Sequence, residues 1–119
     1  MAWHVARAFP ILAVRDLDEA ARYYRDVLGF TVAWTWGEPA QRIGIALDEV
    51  QMHLVGPGPG LPPGPAVVYC HMTGIEEYYG ACRARGAAIA LELGERPWGV
   101  RDFRVLDPSG NRIGFAEFT

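Results

Sequence analysis

Hydrophobic and polar positions change their period several times along the chain, and each change marks an element. Ala8 to Val14 is a short, partly β-branched apolar run that predicts a strand. Asp16 followed by Glu19 has the spacing of a capping box, with a carboxylate in place of the usual hydroxyl. It predicts a helix over Leu17 to Leu28, in which Ala20, Ala21, Tyr24, Val27 and Leu28 recur at helical spacing. Gly29 then stands where helices commonly exit through a left-handed residue. Three strands follow, over Thr31 to Trp36, Arg42 to Leu47 and Val50 to Val55. Asp48-Glu49 joins the last two as a hairpin.

Gly56 to Pro65 reads Gly-Pro-Gly-Pro-Gly-Leu-Pro-Pro-Gly-Pro, which supports neither a helix nor an interior strand and predicts a linker. Beyond it the pattern restarts. Ala66 to Met72 predicts a strand, and Thr73 with Glu76 a second capping box. Ile75 to Arg85 predicts a helix with Ile75, Tyr78, Tyr79 and Cys82 on one side, closed by Gly86. Ala88 to Leu93, Asp102 to Leu106 and Arg112 to Phe118 predict strands, the last two joined by the turn Asp107-Pro108-Ser109-Gly110-Asn111. Strand, capped helix, glycine and three strands therefore occur twice. The fold class predicted is α+β: two βαβββ modules forming a curved mixed sheet around a cleft. Module one covers about 1–55, the linker 56–65 and module two about 66–119, within a single domain. Each helix covers one sheet face and leaves the other free to curl around a guest.

Strand parity sorts the side chains. Leu12, Val14, Val68, Cys70, Met72, Ile113 and Phe115 face the helices, while Phe9, Ile11, Val67 and Tyr69 face the opposite way. That second face is also apolar, which suits a cavity for an aromatic or hydrophobic guest. Met52 and Leu54 flank His53 and turn it toward the cleft, either as a hydrogen-bonded structural histidine or as a polar anchor or proton acceptor near neutral pH. Trp34 and Trp36 share one face of their strand, and Trp98 lies in a Pro-Trp-Gly loop. Their indoles suit stacking on planar or cationic groups, or serve as ordinary core or dimer contacts. His71 shares the parity of Val67 and Tyr69, whereas His4 is expected at the surface near the terminus. Glu38, Arg42, Arg101, Asp102 and Arg104 are the charges placed to read a polar ligand.

Composition narrows the function classes. A chain of 119 residues, half of them hydrophobic, buries a core without disulfides and is not disordered. The formal net charge of -3 offers no basic face for nucleic acid and weakly favours a cationic ligand. Cys70 and Cys82 have neither metal nor redox spacing and read as small buried hydrophobes in a reducing cytosol. Met1 to Pro10 lacks a signal-peptide pattern, and no stretch approaches the ~20 apolar residues of a membrane span, so a cytoplasmic protein is expected. No Gly-x-Ser-x-Gly, nucleotide loop or pair of catalytic carboxylates is present.

Several segments resemble one family. Pro10-Ile11-Leu12-Ala13-Val14-Arg15-Asp16-Leu17 and Tyr23-Tyr24-Arg25-Asp26-Val27-Leu28-Gly29-Phe30 are similar to the opening strand and helix of the vicinal oxygen chelate superfamily. Gly94-Glu95-Arg96-Pro97-Trp98-Gly99, Phe103 and Asp107 to Asn111 are similar to its closing segment. The Glu-x-Pro-Trp-Gly element looks most like the bleomycin-resistance branch of the glyoxalase/bleomycin-resistance proteins. In metal-dependent members four strands each offer one ligand, and the resemblance carries those positions to Phe9, His53, Val67 and Gly114. Only His53 has a donor side chain, so the inherited site is expected to be lost, with no metal and no cofactor. The resemblance implies a homodimer and aromatic side chains that sandwich a drug, and the Gly/Pro linker Gly56 to Pro65 would let the two modules exchange between chains. Together these readings favour a non-catalytic protein that sequesters a small aromatic or cationic antibiotic, with Phe9, Trp34, Trp36, His53, Tyr69 and Trp98 as ligand contacts. The alternative is a metal-dependent or metal-free lyase, isomerase or dioxygenase of the same superfamily, with His53 as general base in the metal-free case.

Overall fold

The computed structural model describes residues 2–58 and 65–119. Most of the expected linker, Gly56 to Pro65, lies outside the described residues. The first module runs β1 (Ile11–Ala13), α1 (Leu17–Asp26), β2 (Thr31–Trp36), β3 (Arg42–Leu47) and β4 (Val50–Val55). The second runs β5 (Val67–His71), α2 (Ile75–Ala84), β6 (Ala88–Arg96), β7 (Val100–Leu106) and β8 (Arg112–Phe118). Each module is thus βαβββ, and the class is α+β. The strands form two four-stranded mixed sheets, ordered β1-β4-β3-β2 and β5-β8-β7-β6. In each, the first strand pairs parallel with the last and the remaining pairs are antiparallel.

Three local differences from the sequence reading have physical causes. β1 begins only at Ile11. Pro10 lends its carbonyl to His53 N at 2.9 Å but has no N–H with which to continue the ladder. Asp16 caps α1 as expected, accepting from Glu19 N at 3.0 Å, whereas the Glu19 side chain pairs with Arg15 instead of closing the box. The second capping box does not form. The N-cap of α2 is Gly74, in the left-handed region, and no side chain of its own caps the helix. Glu117, reaching across from β8, accepts from Ile75 N at 3.2 Å in its place, and Glu76 pairs with Arg101.

The core lies on the helix side of both sheets and is continuous between modules. Leu12, Tyr24, Leu28, Phe30, Ile45, Met52 and Leu54 from the first join Ile75, Cys82, Phe103, Ile113 and Phe115 from the second. Polar contacts reinforce this joint. The Tyr24 hydroxyl donates to Asp107 Oδ2 at 2.9 Å, and the Tyr78 hydroxyl to the Leu28 carbonyl at 2.6 Å. Asn111, fully buried, donates to the Ala13 carbonyl at 3.1 Å and to Asp107 Oδ2 at 2.8 Å, while its Oδ1 accepts from Ala66 N at 2.7 Å. The Asp107 to Asn111 turn is therefore a clasp between modules as well as a β-turn.

Candidate functional site

The face of each sheet turned away from its helix is open. Val14, Met52 and Leu54 are fully buried on the helix side, while Ile11 and Tyr69 on the other are 48% and 47% exposed. On the first sheet, register sets Ile11 opposite His53, His53 opposite Gly44, and Gly44 opposite Trp34. This row assembles an aromatic cluster. Phe9 stacks on the His53 imidazole with ring centroids 5.4 Å apart and planes 16° from parallel. Trp34 meets the same imidazole edge-on, at 4.9 Å and 84°. Arg42 Nη1 lies 3.5 Å from His53 Nδ1. Gly44 is required here by close approach, because a Cβ at that position would overlap the Trp34 indole. Trp36 continues the open face above Arg42 and borders a cavity of about 660 Å³ with Leu17, Val55 and the β2–β3 turn.

The second sheet repeats the plan with different chemistry. Tyr69 pairs in register with Gly114, as Ile11 does with His53, so Gly114 stands at the place equivalent to His53. A Cβ on Gly114 would come within 2.6 Å of the Tyr69 ring, which occupies the space a side chain would need. Below Tyr69 lies Asp102, with no exposed surface. Its carboxylate accepts from the Tyr69 hydroxyl at 2.7 Å and from Arg96 Nε at 2.6 Å, and Arg104 Nη2 lies 3.6 Å away. Desolvation pushes the Asp102 carboxyl up, but the hydrogen bonds from Tyr69 and Arg96 and the charges of Arg96 and Arg104 outweigh it. They hold the group below the usual carboxylate range. Trp98, in the tight turn between β6 and β7, is 60% exposed and approaches the Tyr69 hydroxyl. The thiol of Cys70, on the core side, is pushed up to about 11 by burial, which makes it a packing group and not a nucleophile at neutral pH.

The six candidate ligand contacts thus fall into two groups. Phe9, Trp34, Trp36 and His53 share the open face of the first sheet, and Tyr69 and Trp98 that of the second. No aromatic pair among the described residues joins the two groups. Of the charged candidates, Arg42, Asp102 and Arg104 lie on open faces. Arg101 turns to the helix side and pairs with Glu76. Arg96, the main partner of Asp102, escapes a reading by alternation because β6 carries two bulges before it. Its only sequence signal is its place in the Glu-Arg-Pro-Trp-Gly element.

A divalent ion does not fit the four inherited positions. Phe9, Val67 and Gly114 carry no donor side chain, and the guanidinium of Arg42 beside His53 opposes a second cation there. No group of three or more His, Cys, Asp or Glu side chains is arranged to hold a metal among the described residues. Nor is any helix among them long and apolar enough to cross a membrane.

Comparison with known proteins matches this architecture. TioX from Micromonospora sp. ML1 superposes with a TM-score of 0.80 at 20% identity, covering 96% of this chain and 97% of that one. TnmS3, an antibiotic binding protein from Streptomyces sp. CB03234, gives 0.78 at 24% identity, covering 98% and 100%. A glyoxalase/bleomycin resistance protein from Catenulispora acidiphila gives 0.79 at 22% identity, covering 97% and 100%. At these identities the likeness is one of fold. No curated protein matches the sequence. The family model described as the glyoxalase/bleomycin resistance protein/dioxygenase superfamily matches residues 4–115, and the chain belongs to that superfamily.

Proposed function

We propose that the protein binds and sequesters a small aromatic molecule, such as an aromatic antibiotic, without transforming it. The observation that carries this reading is the Phe9–His53–Trp34 cluster on an open sheet face, in which the Phe9 ring stacks on the imidazole and the Trp34 indole stands edge-on to it as a side wall. An exposed apolar face of this kind marks a site of interaction. The TnmS3 fold-relative is described as an antibiotic binding protein, which agrees with it. The metal-dependent activities of the superfamily lack support here, since three of the four ligand positions have no donor.

The two aromatic groups are half-sites. Ile11, Trp34 and Trp36 remain exposed on one sheet and Val67, Tyr69, Trp98 and Phe118 on the other. A homodimer that sets the first module of one copy against the second module of its partner completes two clefts, each walled by both groups. Such a cleft sandwiches a planar guest.

Titration of the indole fluorescence with bleomycin and a panel of planar aromatic antibiotics tests the reading. Quenching that saturates with at least one planar compound, and weakens in Trp34→Ala and Phe9→Ala, is the expected result. If no compound in the panel alters the emission at saturating concentration, sequestration is wrong.

A further inference from the structure

The charges on the open face of the second sheet run against the charge of the chain as a whole. The formal net charge is -3, yet strand register puts Arg96, Arg104 and Arg112 on this face against one carboxylate, Asp102. Glu117 turns the other way to cap α2, and Glu92 falls in the irregular stretch of β6. Asp102 is already satisfied by Tyr69 and Arg96, which together form a closed, neutral unit.

Arg104 is left over. At 3.6 Å its Nη2 feels the Asp102 charge but lies beyond hydrogen-bond length, and Arg104 makes no side-chain hydrogen bond among the described residues. Its Nε is buried with no partner. The side chain is about one third exposed, so a guest would meet its terminal nitrogens and not Nε, and donors left unused there carry a desolvation cost that an acceptor would relieve. The planar fork favours a carboxylate-like group with two oxygens. Beside it stands the ring of Tyr69, packed over Gly114, the glycine that the stem of Arg104 also borders. Aromatic surface and a guanidinium whose side chain donates no hydrogen bond among the described residues thus lie side by side at the position equivalent to His53 on the other sheet.

Resting on the binding function proposed above, we propose that the guest is an aromatic acid, its anionic group received by Arg104 and its ring system by the aromatic walls. This reverses the preference for a cation that the net charge suggests. Net charge averages over the whole surface, whereas a guest meets one face of it.

Calorimetric titration at neutral pH and low salt with an anthraquinone carboxylate and its neutral carboxamide tests the assignment. The two share a ring system and differ in charge. The acid is expected to bind about tenfold tighter or better, in line with a charge-assisted hydrogen bond. That preference is expected to vanish in Arg104→Gln and to survive in Arg112→Gln, with the melting temperature of each variant reporting on its fold. Equal binding of acid and carboxamide by the natural protein overturns the acid assignment and leaves aromatic binding intact. Equal loss of preference in both variants, or its persistence in Arg104→Gln, overturns the role of Arg104. If Arg104→Gln does not fold, Arg104→Lys takes its place, and an undiminished preference there removes the fork geometry from the account. Binding of neither compound, together with silence of the fluorescence panel, ends both proposals.

Discussion

The Tyr24 hydroxyl, on the first helix, donates to Asp107 Oδ2 at the start of the last turn, 2.9 Å away and 83 residues on in sequence. Burial and the nearby Asp107 push the Tyr24 phenol far above its ordinary range, so the hydroxyl keeps its proton and remains a donor at any pH the fold survives. Tyr24→Phe strands Asp107 of one donor and is expected to cost about 1–2 kcal/mol in urea unfolding. Asn111→Ala leaves Ala66 N and the Ala13 carbonyl unpaired as well, and is expected to cost more, roughly 3 kcal/mol. If both variants unfold at the midpoint of the natural protein, the clasp contributes nothing.

Gly44 makes a second, sharper test, because it separates site from scaffold. A methyl group there overlaps the Trp34 indole and must displace it from the His53 edge. Gly44→Ala is expected to change the near-ultraviolet circular dichroism and weaken binding of an aromatic guest about tenfold. Its stability should fall by only ~1–2 kcal/mol, since the strain has an exposed side chain through which to escape. Unaltered binding alongside an altered indole signal would remove Trp34 from the site.

The Asp102 cluster sets a pH dependence. The folded-state value of this carboxyl lies below its unfolded value of about 3.9. Its contribution is therefore complete above that value and is lost as pH falls through the lower, folded one. Asp102→Asn is expected to lower stability by about 2–3 kcal/mol at neutral pH, because Arg96 loses its charged partner. The gap between the variant and the natural protein should close on acidification from about pH 4 downward. A constant gap across that range would mean that the cluster does not act through charge.

Much of the fold is legible in the sequence, for reasons tied to particular residues. The bounds of β2, β3, β4 and β8 follow from runs of β-branched and aromatic residues between strong turns. Asp16 acts locally, over three residues, and so declares itself. The cap of α2 does not, because its acceptor is Glu117, 42 positions from Ile75. Parity correctly turns His53 away from Met52 and Leu54, yet its contacts with Phe9, Trp34 and Arg42 need the pairing register of three strands. The Asp102 unit depends on two bulges in β6, and a bulge reverses parity without a reliable mark in the sequence. Local propensities are written in order along the chain, while the site is written in the registers between strands.

All four tryptophans lie outside the core, which is filled by Tyr24, Phe30, Phe103, Phe115 and aliphatic side chains. Along the strands, the residues that hold the sheets to their helices alternate with those on the open faces without sharing positions. Apart from Gly44, Gly114 and the buried Asp102, the outward positions can be substituted while the inward set stays fixed. The chemistry of the open faces can therefore change by single substitutions with little effect on the core, and the duplicated module offers two such faces.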